Sequence, residues 1–227
     1  MQNNLHNNYQ ALNRSIDTPF LIQHNPNDYY TPYYLSPARM SSYSHQFRLA
    51  MGTDCKKYLN IGSANNILSR LLSKQDKQVT NLDLDIHTCP TVNAILPFLP
   101  FNDDAFEVLL CFQMLEHMPF TMINECLKEF SRVSNRYLIL SLPDISLSKR
   151  EIIKSLMYKI FHHPREWKGY RFSKTNREHF WEIGDGWLTR KKIINIIEKE
   201  NFTLENDFRN SLNPYHHFFV FTIEKES

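Results

Sequence analysis

The stretch KYLNIGSANNILSRLL, residues 57–72, is the first whose residue types could bind a ligand. A short apolar run reaches Gly62, and a helical pattern begins almost at once. Such a strand–glycine–helix junction holds a ligand against the first turn of the helix, and the positions of the small residues decide which ligand fits. After Gly62, the small or turn-forming residues are Ala64 and Asn66, and position 67 is isoleucine.

The spacing after Gly62 does not match a dinucleotide-binding turn. The pattern G-x-G-x-x-G requires a third glycine where the helix packs closely on the strand. Counted from Gly62, that position belongs to Ile67, whose branched side chain would hold helix and strand apart. An NAD-dependent oxidoreductase is therefore a weakened alternative.

A carboxylate follows at a distance that suits a sugar hydroxyl. Asp83 ends the second apolar segment, about 20 residues after the turn, where it can accept both hydrogen bonds from a ribose. Asp85 is the neighbouring alternative. An aspartate at this point can also serve only as an N-cap or turn former.

Two histidines are candidates for proton transfer. His117 follows the apolar run EVLLCF, at the edge where open α/β sheets bind ligands, and His179 lies three residues before Glu182. Each imidazole could act as a general base or orient a substrate, and a structural bond to the loop backbone is the alternative for His117. The H-x-x-E spacing predicts that His179 and Glu182 share one side of a helix. Without a third ligand nearby in sequence, we expect a hydrogen-bonded pair and no metal site.

Alternating strands and helices must position these residues. Apolar runs predict strands at 58–61, 78–84, 92–96, 107–112 and 137–142. Helical spacing follows Gly62, then Pro119 with Thr121 as N-cap, and continues at 189–200. Continuous apolar strands separated by helices indicate a parallel sheet covered on both faces. The closing runs FTLENDF and HHFFVFTI predict an antiparallel hairpin at one edge of that sheet.

The bulk composition indicates one sizeable α/β domain. The chain has 227 residues, 42% of them hydrophobic, and a formal charge of +2, so it carries no electrostatic footprint for nucleic acid. We divide it into an N-terminal extension or cap, 1–54, and a main domain, 55–227, with a substrate-side insertion at about 144–187. The cluster DYYTPYY, residues 28–34, could form an aromatic flap over a pocket or a packed surface extension.

The insertion is basic and aromatic. It could bind an anionic or sugar-bearing acceptor, or it could be a solvated loop or an oligomer contact. The residues in question are Arg165, Trp167, Lys168, Tyr170 and Arg171.

Four cysteines occur singly, which is typical of reduced thiols. The N-terminal residues lack the pattern of a signal peptide, and no apolar run approaches the roughly 20 residues of a membrane helix. We therefore expect a cytoplasmic protein without a membrane span. No feature of the sequence indicates an oligomeric state.

The block LPFNDDAFEVLLCFQMLEHMPF, residues 99–120, resembles the LPF-x-D-x-x-F-D-x-V…LEH block of class I S-adenosylmethionine-dependent methyltransferases of the small-molecule and glycan type, with a methyltransferase type 11-like domain. The resemblance covers about residues 54–145. The acidic-x-G-x-G-x-G pattern of that family falls on Asn60, Gly62, Ala64 and Asn66. The segments HFWEIG and NPYHHFFVF are similar to those of a subgroup associated with bacterial surface-polysaccharide genes.

This resemblance implies a Rossmann-like three-layer α/β sandwich, with a mainly parallel seven-stranded sheet and an antiparallel strand from a C-terminal β-hairpin. It implies transfer of a methyl group from S-adenosylmethionine to a hydroxyl or amine of a small molecule or glycan intermediate, in surface-polysaccharide biosynthesis. A non-catalytic binding or scaffold protein with the same fold is the alternative, because Asn60, Ala64 and Asn66 depart from the family pattern.

The resemblance also implies roles for individual residues. Gly62, Ser63 and Ala64 would contact the methionine part of the cofactor, with Asn60 in place of the usual carboxylate. The ribose and adenine edge would meet Asp83 and Leu84, and the adenine amino group would meet Asn93. Below the cofactor would lie Gln113 and Met114, with His117 nearby.

Overall fold

The protein is described by a computed structural model that covers residues 26–146, 153, 156, 157, 160 and 179–225. The basic and aromatic residues predicted to bind an acceptor, 165–171, lie outside the described residues, as do residues 1–25. Among the described residues, no helix combines the length and the apolar character that crossing a membrane requires.

One sheet of seven strands forms the centre of the described structure. The strands are β1 (Lys57–Ile61), β2 (Gln78–Asp83), β3 (Val92–Asn93), β4 (Phe106–Phe112), β5 (Ser134–Pro143), β6 (Phe202–Arg209) and β7 (His216–Ile223). Their order across the sheet is β3-β2-β1-β4-β5-β7-β6. Pairing is parallel from β3 to β5, whereas β7 is antiparallel to both β5 and β6. The predicted mainly parallel α/β sheet with an antiparallel C-terminal strand is confirmed.

Helices cover both faces of the sheet. They are α1 (Pro37–Met51), α2 (Ile67–Ser73), α3 (Ile123–Val133) and α4 (Arg190–Glu198), and residues 153, 156, 157 and 160 are also helical. Side chains alternate along β4, so that Leu109 and Cys111 pack in the cluster under α3 and α4. Val108 and Leu110 pack in the opposite cluster, under α1 and α2. The continuous apolar runs are therefore explained by burial on both faces.

Several local expectations differ from the structure. The helix after Gly62 has only seven residues, and the apolar pattern does not bury all of its leucines, because Leu71 is 45% exposed. Thr121 is not an N-cap, because Phe120–Met122 forms a 3-10 turn and α3 begins only after Met122. The third strand contains two residues instead of five. The N-cap of α4 is Thr189, whose hydroxyl accepts a hydrogen bond from the Lys192 N–H.

The described cysteines are all free thiols. Cys55, Cys111 and Cys126 are buried in the core, and Cys89 is exposed. This agrees with the prediction of reduced core and surface thiols.

A buried carboxylate ties the end of β5 to the C-terminal strands. Asp144 is fully buried, and its Oδ2 lies 2.6 Å from the Arg209 guanidinium and 2.8 Å from His217 Nδ1. The Ser146 N–H donates to its Oδ1 at 2.9 Å. Burial opposes ionisation of Asp144, but the hydrogen bonds from His217 and Ser146 and the charge of Arg209 outweigh it and lower its pKa.

The Asp144→Asn variant should be less stable than the parent protein by about 3 kcal/mol at pH 7, because it leaves a buried Arg209 without its anion. The pKa of the Asp144 carboxyl is lower in the folded protein than its ordinary value of about 3.9. The carboxylate therefore stabilises the fold fully above that ordinary value, and this stabilisation is lost as the pH falls through the folded-state pKa. The difference in unfolding free energy, measured with urea, should therefore shrink below about pH 4.

Asp103→Asn is the matched control, because Asp103 is largely exposed beside Arg132 and should contribute less than about 1 kcal/mol. A difference between Asp144→Asn and the parent that stays constant down to low pH would show that ionisation of Asp144 is not what stabilises the fold.

Candidate functional site

A cavity of about 650 Å³ opens at the carboxyl ends of β1, β2 and β4. At this point the strand order reverses, since β1 is flanked by β2 on one side and by β4 on the other. Open α/β sheets bind their ligands at such a switch point. Most of the predicted site residues line the cavity: Asn60, Gly62, Ser63, Ala64, Asp83, Leu84, Gln113, Met114, His117 and His179.

The turn between β1 and α2 forms one wall and has an unusual backbone. Gly62, Ala64 and Asn66 all have positive φ, of 68°, 48° and 57°. A Cβ on Gly62 would lie 2.8 Å from the Met114 Cγ, so this position has no room for a side chain. Asparagine tolerates this left-handed geometry, as at Asn66, while Ala64 adopts it without the side chain that usually favours it.

Two carboxylates reach the cavity from the end of β2. Asp83 accepts hydrogen bonds from the N–H groups of Ala64, at 3.1 Å, and Asp85, at 3.0 Å, and burial raises the pKa of its carboxyl. Asp85 accepts one hydrogen bond from the His87 N–H, at 2.9 Å. Its second carboxylate oxygen is buried and has no partner among the described residues. Asp83 and its predicted alternative thus both lie in the wall.

The two asparagines predicted to contact the cofactor form hydrogen bonds with neighbouring residues. Asn60 is buried and donates its amide to Ser69 Oγ at 3.0 Å and to Asn81 Oδ1 at 3.1 Å. Asn93 is exposed, does not line the cavity, and donates to the carbonyl groups of Asp83 and Leu84 at 3.0 and 2.7 Å. Next to Asn93 in sequence, the apolar residues Ala94, Ile95 and Leu96 line the cavity.

The segment after β4 contributes a residue that the sequence analysis missed. Gln113 has a φ of 50° and is held by its N–H to the Ser141 carbonyl at 2.9 Å. A 3-10 turn, Leu115–His117, then buries Glu116 completely in the cavity wall. Burial raises the pKa of the Glu116 carboxyl to about 7, against the opposing effect of a charge on His179. Glu116 belongs to the LEH block, so the signal was present, but only His117 was assigned a role from it.

Residues 179–184 dock on this turn and bring His179 to His117. The Phe180 N–H donates to the Glu116 carbonyl at 2.8 Å, and the Trp181 indole N–H donates to the Met118 carbonyl at 3.0 Å. The rings of His117 and His179 are perpendicular, with centroids 4.7 Å apart. The two predicted catalytic histidines therefore share one wall.

The His179–Glu182 pair is hydrogen-bonded as expected, with Nδ1 and Oε1 2.7 Å apart. The predicted helix is wrong, because residues 179–182 form no helix, Phe180 lies in a bend, and Ile183 forms a parallel bridge with Asp144 at the end of β5. Gly184 also packs closely against the chain that follows β5, since a Cβ at this position would lie 2.7 Å from the Ser146 nitrogen.

The loop between β6 and β7 completes this side of the cavity. The Tyr215 hydroxyl donates to Glu182 Oε1 and lies 3.2 Å from His179 Nδ1. Burial and the bond to Glu182 raise the pKa of Tyr215. His216 also lines the cavity, and burial lowers its pKa well below the usual range. Tyr215 ends this loop and His216 begins β7, so the position of both depends on the pairing of β7 with β5.

The aromatic cluster near the N-terminus lies over the turn after β1. Tyr29, Tyr33 and Tyr34 line the cavity. The Tyr30 hydroxyl donates to the Asn65 carbonyl at 3.3 Å, and the Asn65 amide donates to the Tyr43 hydroxyl at 2.9 Å. The segment therefore packs on the ligand-binding turn and contributes aromatic faces to the cavity.

No protein-family model matches the chain, and no curated protein sequence matches it as a relative. Solved structures do match it. Magnesium protoporphyrin IX methyltransferase from Synechocystis PCC 6803, with bound S-adenosylhomocysteine, is 15% identical at a TM-score of 0.54, over 82% of this chain and 85% of that one.

Two further matches cover nearly the whole of both chains. The N-methyltransferase NodS from Bradyrhizobium japonicum WM9, in complex with S-adenosylhomocysteine, is 13% identical at a TM-score of 0.57, over 96% of this chain and 98% of that one. The Burkholderia thailandensis 1,6-didemethyltoxoflavin-N1-methyltransferase, also with S-adenosylhomocysteine, is 11% identical at a TM-score of 0.58, over 92% and 94%. The chain thus has the fold of the class I S-adenosylmethionine-dependent methyltransferases.

Proposed function

We propose that the protein is an S-adenosylmethionine-dependent methyltransferase that acts on a hydroxyl or amine of a small molecule. The observation that carries this proposal is one cavity at the switch point of a methyltransferase fold. It combines a left-handed turn at Gly62, two carboxylates at the end of β2, His117 after β4, and His179 from the segment that docks beside it. Its volume of about 650 Å³ lies within the range of sites for ligands of this size.

The residues present fit the cofactor. Asp83 and Asp85 offer carboxylate oxygens for ribose hydroxyls, and the Asp85 oxygen without a described partner is suited to accept such a bond. Gly62, Ser63 and Ala64 would meet the methionine part, and the buried Ser63 hydroxyl also lacks a partner among the described residues.

The remaining contacts follow the cavity lining. Leu84 and the apolar run 94–96 would pack on the adenine ring. Gln113 and Met114 would support the cofactor from below. Asn93 would act by holding the backbone of residues 83–84, and Asn60 by joining β1 to the side chains of Ser69 in α2 and Asn81 in β2.

When bound, S-adenosylmethionine supplies a methyl group on a positively charged sulfur. The chain's main task is then to align the acceptor with that methyl group. The aromatic faces of Tyr29, Tyr33 and Tyr34 can attract a cation. His117 and His179 would orient the acceptor or remove its proton, and the Glu182 carboxylate would hold the imidazole of His179 in position.

The acceptor we favour is a glycan intermediate of surface-polysaccharide biosynthesis. The support is the likeness of HFWEIG and NPYHHFFVF to the corresponding subgroup, and these segments carry His179, Tyr215 and His216 in the cavity wall. The compared structures include a magnesium protoporphyrin IX methyltransferase and a 1,6-didemethyltoxoflavin-N1-methyltransferase, which supports a small acceptor. The free cysteines suit a cytoplasmic location.

Cofactor binding is tested by calorimetry with S-adenosylmethionine and S-adenosylhomocysteine, using NAD as a negative control. We expect micromolar binding, which is about −8 kcal/mol, and its loss in Asp83→Ala, because the variant removes the carboxylate that would accept the ribose hydrogen bonds. Asp54→Ala is the matched control, since Asp54 is exposed and outside the cavity.

If the folded protein binds neither sulfur compound, the non-catalytic scaffold becomes the better interpretation, because Asn60, Ala64 and Asn66 already depart from the family pattern. Binding of NAD in their place would favour an oxidoreductase.

The proposal that His117 and His179 act on the acceptor is tested with the variant His179→Ala. Affinity for S-adenosylhomocysteine should stay within about twofold, while turnover of an acceptor identified by screening should fall at least 100-fold, the lower range of general acid–base effects. The control for the loss of an imidazole alone is His87→Ala, because His87 is exposed and lies outside the cavity. Equal losses of cofactor affinity and turnover would instead assign His179 to the cofactor.

A further inference from the structure

Three side chains in the cavity wall have the composition and spacing of a metal site. The ligand atoms of Glu116, His117 and His179 all lie within 4.8 Å of one another. Ligands about 2.0–2.2 Å from one ion are roughly 3–4 Å apart, so rotamer adjustments of less than about 1 Å would bring the three together around it. From the sequence no metal site was expected, because His179 is separated in sequence from any third ligand such as Glu116 or His117. Docking of 179–184 on the turn after β4 removes that separation.

The surroundings of Glu116 are the strongest argument for a cation site. Its side chain is fully buried, and neither carboxylate oxygen forms a hydrogen bond with another residue in the part of the chain that the structure describes. Burying a carboxylate without a partner is costly, and proteins avoid it by protonating the group, by pairing the charge or by coordinating a metal. Among the described residues, Arg209 pairs with Asp144, Arg132 with Glu129 and Arg190 with Asp207, and no ion pair reaches Glu116. The charge of Arg39, which lines the same cavity, favours the ionised form of Glu116 that a metal ion would bind.

The surroundings of His179 are those of a metal-bound imidazole. Its Nδ1 is paired with Glu182 Oε1 at 2.7 Å, and Glu182 in turn accepts the hydrogen bond of Tyr215. Metal-binding histidines commonly use one ring nitrogen for a carboxylate and the other for the ion. Nε2 is then the nitrogen that would coordinate. The Phe180 N–H on the Glu116 carbonyl fixes this histidine relative to the carboxylate.

We propose that Glu116, His117 and His179 bind one divalent transition-metal ion, which holds the hydroxyl group of the acceptor in the cavity. Two imidazoles and one carboxylate suit Mn²⁺, Fe²⁺, Co²⁺ or Zn²⁺ better than Mg²⁺ or Ca²⁺, which prefer oxygen ligands. Three protein ligands leave coordination positions open, and these positions face the cavity that the three residues line. The role of the ion in holding the acceptor rests on the proposed function, whereas its binding does not.

The ion would take over the task of a general base. A divalent metal lowers the pKa of a bound hydroxyl or water, so the acceptor proton can leave to solvent before the transfer. The acceptor oxygen then forms its bond to the methyl carbon as the carbon–sulfur bond breaks, and the electron pair of that bond stays on sulfur. No electron is exchanged with the ion. His117 and His179 act as ligands in this arrangement, and the acceptor is a hydroxyl instead of an amine.

Metal binding is measured directly on the full chain after treatment with a chelator. Co²⁺ is the probe, followed by its visible absorption and by calorimetry, and Mg²⁺ is the comparison ion. We expect one Co²⁺ per chain and a visible spectrum that shows nitrogen ligands. Binding of Co²⁺ should weaken at least 100-fold in Glu116→Gln, which keeps the shape of the side chain, and in His179→Ala. It should weaken about 10- to 100-fold in Glu182→Gln, because that variant removes the carboxylate that orients His179.

His87→Ala serves as the control and should bind Co²⁺ like the parent protein, because His87 lies outside the cavity. Circular dichroism of each variant separates loss of the site from loss of the fold. Absence of Co²⁺ binding, binding that Glu116→Gln and His179→Ala leave unchanged, or tighter binding of Mg²⁺ than of Co²⁺ would overturn the proposal.

The two proposals fail separately. Binding of S-adenosylhomocysteine without Co²⁺ binding would retain the methyltransferase and overturn the metal site. Co²⁺ binding that depends on Glu116, without binding of S-adenosylhomocysteine, would retain the metal site and contradict the methyltransferase. With an acceptor in hand, turnover should fall on chelation and return with Co²⁺ or Mn²⁺, and turnover that is unchanged by chelation would overturn the role of the ion.

Discussion

Parallel pairing of β1 with both β2 and β4 is the constraint on which the site depends. Ile61 is aligned with Leu82 on one side and with Cys111 on the other. The residues that follow each strand must therefore emerge side by side at one edge of the sheet. This register brings Gly62, Asp83 and Gln113 into one cavity although they are far apart in sequence. A shift of one residue would turn the alternating side chains of β4 to the wrong cores.

The same edge holds buried polar atoms without described partners and several positive φ angles. Buried polar atoms without described partners occur on Ser63, Asp85, Glu116 and His216, and all four residues line the cavity. Positive φ angles cluster there as well, at Gly62, Ala64, Asn66 and Gln113. Each such feature costs stability, and native folds retain them mainly where a site uses them. The well-packed apolar faces on both sides of the sheet offset that cost.

The parts of this structure that the sequence predicted are those governed by local pattern. Apolar runs and turn residues were sufficient for the order of strands and helices, and the position of Asp83 followed from its distance to the turn. The resemblance in the LEH block pointed to the right loop but not to Glu116, because sequence does not show that a carboxylate has been buried. The helix predicted for His179 and Glu182 was wrong because a bend at Phe180 also brings side chains three residues apart together, and the bridge of Ile183 to Asp144 holds the segment in that form. Tyr215 enters the site through pairing between β7 and β5, which no local pattern shows.

The contact between Ser146 and Gly184 has a consequence for how such a protein can diverge. The ends of the intervening chain are fixed to each other, because Gly184 packs against the backbone of Ser146 and Ile183 pairs with the end of β5. Extending a loop whose ends are already held together costs little, about 0.6 kcal/mol for each doubling of its length. Insertions or exchanges between Ser146 and His179 can therefore accumulate over evolution without moving His179 or disturbing the sheet, so the fold can be inherited unchanged while the specificity changes.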